Sequence, residues 1–353
     1  MHDETTARRK DAHLDLCATE EVAPVENATL LGDVRLVHCA MPELNVGQVE
    51  LGVTWFGKKL RAPLLMTGMT GGTERAGAVN RELAQVAEEF GIAFGVGSQR
   101  AMAERPELTQ TFAVRSVAPT TVLIGNIGLV QANRMSIDQI RKLTDAIGAD
   151  ALAVHLNPGQ ELNQPEGDRD FEGGYRTVAG LAKAYGDRLL VKETGCGLSP
   201  EVARRLVDCG VMSLDVSGLG GTSWVRVEQL RSTGVARDVG AQFATWGIPT
   251  AAAIASVRKA VGSNITLVAS GGMRTGLDVA KALALGADLG GMALPLFRAQ
   301  QQGGVAGVRT ALETVMTALR QALALTGSRN VTELRRQPRV VTGELKDWLQ
   351  ALG

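Results

Sequence analysis

Short apolar runs alternate with longer amphipathic segments along most of the chain, beginning near Pro63. The apolar runs have the length of buried strands, and the segments between them carry apolar residues at helical spacing. We expect eight strands, at Pro63–Thr67, Ile92–Val96, Thr121–Asn126, Ala151–Asn157, Leu189–Glu193, Met212–Ser217, Ile265–Ser270 and Asp288–Ala293. The helical patterns include Arg75–Phe90, Ser136–Ile147, Pro200–Cys209, Pro249–Val261 and Gly276–Leu285.

This alternation predicts parallel strands joined by right-handed crossovers, which is an α/β fold. Eight such units close into a (β/α)₈ TIM barrel, and an open doubly wound sheet is the alternative. Alternating stretches at 34–38 and 49–55 predict an antiparallel N-terminal appendage. We divide the chain into an N-terminal extension (1–62), a barrel (63–326) and a C-terminal tail (327–353). We interpret the tail as a solvated terminus, with an interface element as the alternative.

Two connections are longer than the roughly 2–6 residues usual for such loops. They run from Pro158 to Phe171 after the fourth strand and from Gly218 to Gly247 after the sixth. Barrel enzymes build their active sites from the loops at the carboxyl ends of strands, so we expect both connections to serve a site.

The overall composition excludes some classes of partner. Among 353 residues, 37 Lys and Arg balance 37 Asp and Glu, so no bulk field attracts nucleic acid or an anionic membrane. No apolar run is long enough to span a membrane, and four cysteines without a CxxC pair indicate the reduced thiols of the cytoplasm. We expect a cytoplasmic protein. The 42 glycines indicate tight turns and close approach of the backbone to a ligand.

Polar residues cluster at the end of the fourth strand. With a period of two, His155 and Asn157 share a face that points into the barrel mouth, while Leu152 and Val154 pack on helices. Gln160 and Glu161 follow directly. We interpret the group as functional; the alternative is a structural histidine in the core.

Other strand ends carry complementary groups. Asp215 and Ser217 face the mouth from the sixth strand, and Lys192 ends the fifth, where it either extends to solvent or offers a cation to an electron-rich ring. Ser270-Gly271-Gly272 ends the seventh strand, so the next N–H groups, the following helix dipole and Arg274 are expected to face a phosphate. Cys196 has no evident base and is interpreted as a passive thiol.

The strand ends together indicate a planar cofactor across the barrel mouth, since all but the last finish in Gly, Ser, Thr or Asn or are directly followed by one of these residues. No segment matches the dinucleotide fingerprint or the phosphate loop of nucleotide-binding folds, which disfavours both.

The motif set resembles the type 2 isopentenyl diphosphate isomerase family, an FMN-dependent (β/α)₈ barrel. The matching pieces are "RRKDAH", "MTGMTGGT", "GVGSQR", "GNIG", "HLNPGQELNQPEGDRDF", "VKETGCG", "DVSGLGGTSW", "WGIPT" and "SGGMRTGLDVAKALALGA". The resemblance implies reversible conversion of isopentenyl diphosphate to dimethylallyl diphosphate by a 1,3-proton shift without net redox change. It also implies reduced FMN, NADPH as the reductant, Mg²⁺, and a homo-oligomer, either a tetramer or an octamer.

The same resemblance implies site residues at matching positions. The flavin ring and ribityl chain would contact Met66, Thr67, Ser98, Asn126, Lys192, Ser217 and Thr222. The flavin phosphate would sit on Gly271, Gly272, Met273, Arg274, Ala293 and Leu294. The start of the N-terminal extension would reach the active site, where the substrate would meet Arg9, Lys10, Ser98, Arg100, His155, Asn157 and Gln160. Glu161 would hold Mg²⁺, and His155 and Gln160 are the implied catalytic residues.

Our mechanistic hypothesis is that N5 of reduced FMN acts as the acid–base group, because the substrate alkene is not acidic and Gln160 does not titrate near neutrality. Gln160 would relay or position a proton. The alternatives are another FMN-dependent barrel oxidoreductase or a non-catalytic flavin-binding barrel. Oxidation of a 2-hydroxy acid would need a late histidine base, and no histidine follows His155.

Overall fold

The computed structural model describes residues 2–19, 21–23 and 28–353, with side chains from Arg9 onward. The strands are β1 Val34–Leu36, β2 Val53–Trp55, β3 Lys58–Leu60, β4 Leu64–Met66, β5 Ala93–Gly95, β6 Leu123–Gly128, β7 Ala151–Leu156, β8 Leu189–Glu193, β9 Ser213–Asp215, β10 Thr266–Ala269, β11 Leu289–Met292 and β12 Arg339–Val341. The helices are α1 His2–Thr19, α2 Glu74–Phe90, α3 Arg100–Glu104, α4 Leu129–Asn133, α5 Ile137–Ala146, α6 Pro158–Asn163, α7 Gly174–Tyr185, α8 Pro200–Asp208, α9 Trp224–Arg231, α10 Gly234–Gln242, α11 Thr250–Val261, α12 Gly276–Leu285, α13 Leu294–Leu325, α14 Val331–Arg336 and α15 Gly343–Ala351.

Strands β4 to β11 form a closed parallel barrel, which confirms the predicted (β/α)₈ architecture and rules out the open sheet. Closure occurs where β11 pairs with β4, with Gly290 opposite Leu64. All eight predicted strands are present, with ends that differ by at most two residues, and the fifth has the predicted bounds. The barrel order therefore brings the carboxyl ends of all eight strands to one mouth.

The predicted alternation of faces is confirmed in the barrel wall. Ala151 and Ala153 of β7 lie in the interior cluster, whereas Leu152 and Val154 pack in the outer core against the helices. Trp55, from the β2–β3 hairpin, joins the interior cluster and donates from Nε1 to Ser213 Oγ at 3.4 Å. The hairpin thus closes the amino end of the barrel and leaves the mouth open.

The predicted antiparallel appendage is present, and the structure shows how its strands pair. The stretches at 34–38 and 49–55 do not pair with each other: β1 pairs with β12 of the C-terminal tail, and β2 pairs with β3. The interpretation of the tail as a solvated terminus is wrong, because Leu334 and Leu345 are fully buried. The Arg-rich composition hid these leucines, since each lies on the inner face of a short helix.

The long connections after β7 and β9 are partly helical. The first contains α6, and the second contains α9 and α10. In the described ranges, no helix combines the length and apolar character that crossing a membrane requires.

Candidate active site

The barrel mouth forms a cleft of about 1530 Å³ that is open to solvent. Helix α1 lies across it and contributes Arg9, Lys10 and His13 to its lining. Every site residue predicted from the sequence lines this cleft except Met66, which is buried and lines a smaller adjoining cavity. The structure therefore brings together residues from all eight barrel strands or the turns that follow them, together with the N-terminal helix.

Glycine permits a close approach between the turns that follow β9 and β10. A Cβ atom on Gly221 would lie 2.5 Å from the backbone nitrogen of Gly272. At Gly271, where φ is +96°, a Cβ atom would lie 2.1 Å from the carbonyl oxygen of Gly218. Any side chain here would force the two turns apart, so the glycines form a narrow backbone cradle.

One part of the predicted phosphate site needs correction. The N-terminus of α12 is occupied by its own capping box, because Asp278 Oδ2 accepts from the N–H groups of Arg274 and Thr275 at 3.1 and 2.9 Å. The Arg274 side chain lines the cleft and also donates to Gly220 O at 3.0 Å. Helix α13 has no side-chain cap at Ala293; because Pro295 has no N–H and Leu296 N donates to Ala293 O at 3.1 Å, its first turn offers the N–H of Leu294.

Three charged or titratable residues form a row across adjacent strands. His155, Lys192 and Asp215 are direct register partners on β7, β8 and β9, so their side chains share the inner face of the barrel. Burial, followed by the charges of Lys192 and Lys10, lowers the pKa of His155 to about 3. His155 is therefore a neutral imidazole at physiological pH.

The neutral ring of His155 has a defined orientation. Its Nδ1 lies 2.9 Å from Asn126 Oδ1, and Asn126 Nδ2 donates to Val96 O at 3.1 Å. Because this second bond fixes Asn126 Oδ1 as an acceptor, the proton of the imidazole is on Nδ1. Nε2 remains as a hydrogen-bond acceptor.

Lys192 lines the cleft, so the alternative in which it extends to solvent is wrong. Its Nζ donates to the carbonyl oxygen of Glu193 at 2.6 Å. Burial lowers the pKa of Lys192, and the negative charge of Asp215 opposes that shift. Asp215 has no exposed surface, and while its Oδ1 accepts three hydrogen bonds, Oδ2 has no partner among the described residues.

Glu193 faces the opposite side of β8 and organises the following loop. Its Oε2 accepts from the backbone N–H groups of residues 194–197 at 2.5 to 3.0 Å. Burial nevertheless raises the pKa of this carboxyl to about 7. The same loop contains Cys196, whose thiol pKa burial raises to about 12, which agrees with the passive interpretation.

A network around Glu228 was not predicted from the sequence. Glu228 Oε1 accepts from Gln160 Nε2 and lies beside His13 Nε2, both at 3.0 Å, and its other oxygen pairs with Arg231. Glu228 is fully buried within α9, a segment predicted only as part of a long connection. That segment has no amphipathic helical pattern, so the sequence offered no signal that would place Glu228 at the site.

Cations gather at the rim where α1 meets the turn after β5. Lys10 Nζ donates to Ser98 O at 3.4 Å, and Arg9 lies 3.7 Å from Glu166. Burial and the neighbouring charges of Arg9 and Arg100 lower the pKa of Lys10 to about 7. Arg100 Nε pairs with Glu104 Oε1 at 3.0 Å, so carboxylates partly neutralise the positive charge gathered at this rim.

Glu161 is the predicted metal ligand, and it is buried beside this cationic rim. Its Oε1 accepts from Asn157 Nδ2 at 2.9 Å, and its Oε2 accepts from the backbone N–H of Asp168 at 2.8 Å. Among the described side chains, no group of three or more His, Cys, Asp and Glu could hold a metal ion. Any cation here would take most of its ligands from a bound anion or water.

The chain is similar to known proteins over nearly its full length. A profile of the FMN-dependent dehydrogenase family matches residues 157–341. An isopentenyl-diphosphate delta-isomerase from Pyrococcus abyssi is 43% identical, covering 98% of this chain and 95% of the relative. The same-named protein from Aeropyrum pernix is 45% identical, covering 99% and 93%.

Solved structures with lower sequence identity share the fold. A mandelate oxidase variant with (S)-mandelic acid has a TM-score of 0.68 at 19% identity, covering 97% of this chain and 98% of that chain. At 19% sequence identity this similarity concerns the fold alone. The type of reaction must be inferred from the residues at the barrel mouth.

Proposed function

The chain belongs to the isopentenyl-diphosphate delta-isomerase family, and from this membership we propose that it interconverts isopentenyl diphosphate and dimethylallyl diphosphate on bound FMN. The observation that carries the proposal is near-complete alignment with relatives of that name, at 43–45% identity, together with the gathering of the predicted residues around one cleft. The reaction moves a proton from one carbon to another without net oxidation.

The residues at the mouth fit FMN. The glycine cradle and the Leu294 N–H at the start of α13 offer backbone donors to a phosphate at one end of the cleft. At the other end, Lys192 and Asn126 can meet a polar ring edge, and the unpaired Asp215 Oδ2 lies in the same region. When bound and reduced, FMN supplies an acid–base group in its ring and an electron-rich face towards a developing positive charge.

The cationic rim suits the diphosphate. We assign Arg9, Lys10 and Arg100 to the phosphate oxygens, because charge-assisted hydrogen bonds to them are stronger than neutral ones. Glu161 then contributes a carboxylate to Mg²⁺, which commonly binds through one or two carboxylates and substrate phosphates. The neutral His155 offers its ring to the head group without adding a charge that the buried site would have to stabilise.

The amide of Gln160 is the group we assign to proton handling. Glu228 accepts from Gln160 Nε2, which leaves Gln160 Oε1 as an acceptor beside Asn157 Nδ2 at 3.4 Å. A fixed amide can hold a proton donor in line with the alkene without ionising itself. Helix α1 covers the mouth and reduces access of water to the cleft.

Several finer properties belong to the same proposal. We assign NADPH as the external reductant, and a tetramer or octamer as the assembly. A cytoplasmic location agrees with four cysteines that are all free thiols.

An anaerobic assay tests the function. Purified protein is incubated with FMN, Mg²⁺ and isopentenyl diphosphate, with and without NADPH, and dimethylallyl diphosphate is measured. We expect product only under reducing conditions, with NADPH not consumed in proportion. If FMN binds but no allylic product forms under either condition, the isomerase proposal fails.

A further inference from the structure

Asp215 connects three parts of the proposed flavin site. It is the register partner of Lys192 on the neighbouring strand, and its side chain has no exposed surface. Its Oδ1 accepts from Ser217 N at 3.1 Å, Ser270 N at 3.2 Å and Ser270 Oγ at 2.7 Å. Ser217 and Ser270 begin the two turns that form the glycine cradle.

The backbone at Ser217 needs such support. Its φ is +38°, which is unusual for a residue other than glycine and costs free energy unless its surroundings fix it. The bond from Ser217 N to Asp215 Oδ1 stabilises this conformation, and the bonds to Ser270 tie the neighbouring turn to the same carboxylate. Asp215 therefore couples the geometry of both turns.

Lys192 is the cation that lies beside Asp215 on the neighbouring strand. The charged or titratable groups around the lysine are His155 on β7, Asp215 on β9, Glu193 on its own strand and Lys10 from α1. His155 is neutral, Lys10 is a cation, and Glu193 faces the other side of β8, where its Oε2 accepts four backbone N–H groups. Asp215 is the remaining carboxyl group on the inner face; burial raises its pKa, and the charge of Lys192 is the largest of the effects that oppose this shift. Its Oδ2 has no hydrogen-bond partner in the described part of the chain.

We propose that Asp215 is a positioning residue of the flavin site: its carboxylate is the counter-ion that keeps Lys192 protonated, and it holds together the two turns of the cradle. This inference rests on the proposed FMN binding. A buried lysine without a counter-ion gives up its proton, because desolvation disfavours the charged form. Asp215 thus determines the charge that faces the flavin ring, although it acts through Lys192.

A stability cycle on the flavin-free protein tests the pairing. Asp215→Asn, Lys192→Met and the double variant are compared by thermal unfolding. If the two charges compensate each other, removing one leaves the other buried without compensation, whereas removing both does not. We therefore expect Asp215→Asn to lower the melting temperature and the double variant to melt above Asp215→Asn. Additive losses overturn the pairing. If Asp215→Asn does not fold, recovery of folding in the double variant supports it, and continued failure to fold overturns it.

A second measurement tests the effect on the cofactor. FMN affinity is measured between about pH 7 and about pH 9, where the phosphate is already dianionic. In Asp215→Asn we expect affinity to begin falling at a lower pH than in the unsubstituted protein, by about tenfold per pH unit. Lys192→Met is expected to abolish this pH dependence. Ser270→Ala, which removes a hydrogen bond to Asp215 but neither charge, keeps the original pH profile.

Two results contradict the inference. Equal FMN affinity of Asp215→Asn and the unsubstituted protein at every pH removes any role for the carboxylate. If Asp215→Asn lowers FMN affinity equally at every pH, and the same loss occurs in the Lys192→Met background, Asp215 has only a structural role. Failure of the unsubstituted protein to bind FMN refutes the proposed function instead, and the stability cycle still decides the ion pair.

Discussion

Gln160 Nε2 lies 3.0 Å from Glu228 Oε1, so a neutral amide at the mouth of the barrel is oriented by a fully buried carboxylate. The pKa of Glu228 is lowered despite the opposing effect of burial, because His13, Arg231 and Gln160 favour its charged form. Glu228 therefore remains an acceptor, and the amide nitrogen of Gln160 remains directed at it. This relationship joins α6 to α9 across the cleft.

Gln160→Glu is expected to retain FMN affinity and to reduce turnover by roughly 10²–10⁴-fold, the usual size of an acid–base contribution. The new carboxyl would face Glu228 at hydrogen-bond distance, so one of the two must hold a proton and the pH profile must also change. Steady-state kinetics and FMN titration separate the effects. Gln242→Glu, on the exposed part of α10, is the control. Unchanged turnover would exclude any proton role for Gln160.

Lys10 is expected to make substrate capture dependent on pH. The pKa of its amine is lowered to about 7, mainly by burial, so the free enzyme loses this positive charge as the pH rises through that value. Since a diphosphate binds the protonated form, kcat/KM should fall above about pH 7. Lys10→Arg should flatten this limb of the profile, because arginine stays charged. The exposed Lys142→Arg serves as the control, and an identical profile in both variants would contradict the assignment.

Much of the barrel follows from the sequence because parallel strands buried on both sides leave strong apolar runs. The inward direction of His155 and Asp215 follows from the same period of two. The side chains at the strand ends could therefore be placed at one mouth from the sequence alone.

The remaining features depend on contacts between segments distant in the sequence. Pairing of β1 with β12 joins the two ends of the chain, and no local pattern specifies it. The role of Glu228 depends on the packing of α9 against Gln160, which is 68 residues away in the sequence. The self-capped N-terminus of α12 is an exception, because its capping box joins Thr275 and Asp278, three residues apart, and that spacing is itself a local sequence signal.

Glu193→Ala is expected to destabilise the flavin-free protein by roughly 3 kcal/mol or more, because a carboxylate that accepts several hydrogen bonds is lost from a buried loop. Chemical denaturation measures this loss, and the exposed Glu172→Ala is the control. If Glu193→Ala lowers the free energy of unfolding by less than about 1 kcal/mol, the loop does not depend on the Glu193 carboxylate for its conformation.

Titration of Glu193 also predicts a pH dependence of stability. Because the folded pKa is raised to about 7 from its ordinary value of 4.5, the stabilisation associated with the protonated form is complete below pH 4.5 and is lost as the pH rises through about 7. Glu193→Gln, which cannot ionise, should remove this part of the pH dependence. Parallel curves of unfolding free energy against pH for the Glu193→Gln variant and the unsubstituted protein would contradict it.

Gly221→Ala is expected to force the cradle apart, although the φ angle of Gly221 is not positive and alanine can adopt it. An added Cβ would lie 2.5 Å from Gly272 N, so the turns after β9 and β10 must separate. Overpacking of this kind costs about 1–3 kcal/mol, which corresponds to roughly 5- to 150-fold in FMN affinity if the cofactor requires the closed cradle. Gly303→Ala, where an added Cβ meets nothing within 4 Å, is the matched control and should bind FMN normally. If both variants bind FMN equally well, the close approach of the turns serves folding and not the cofactor.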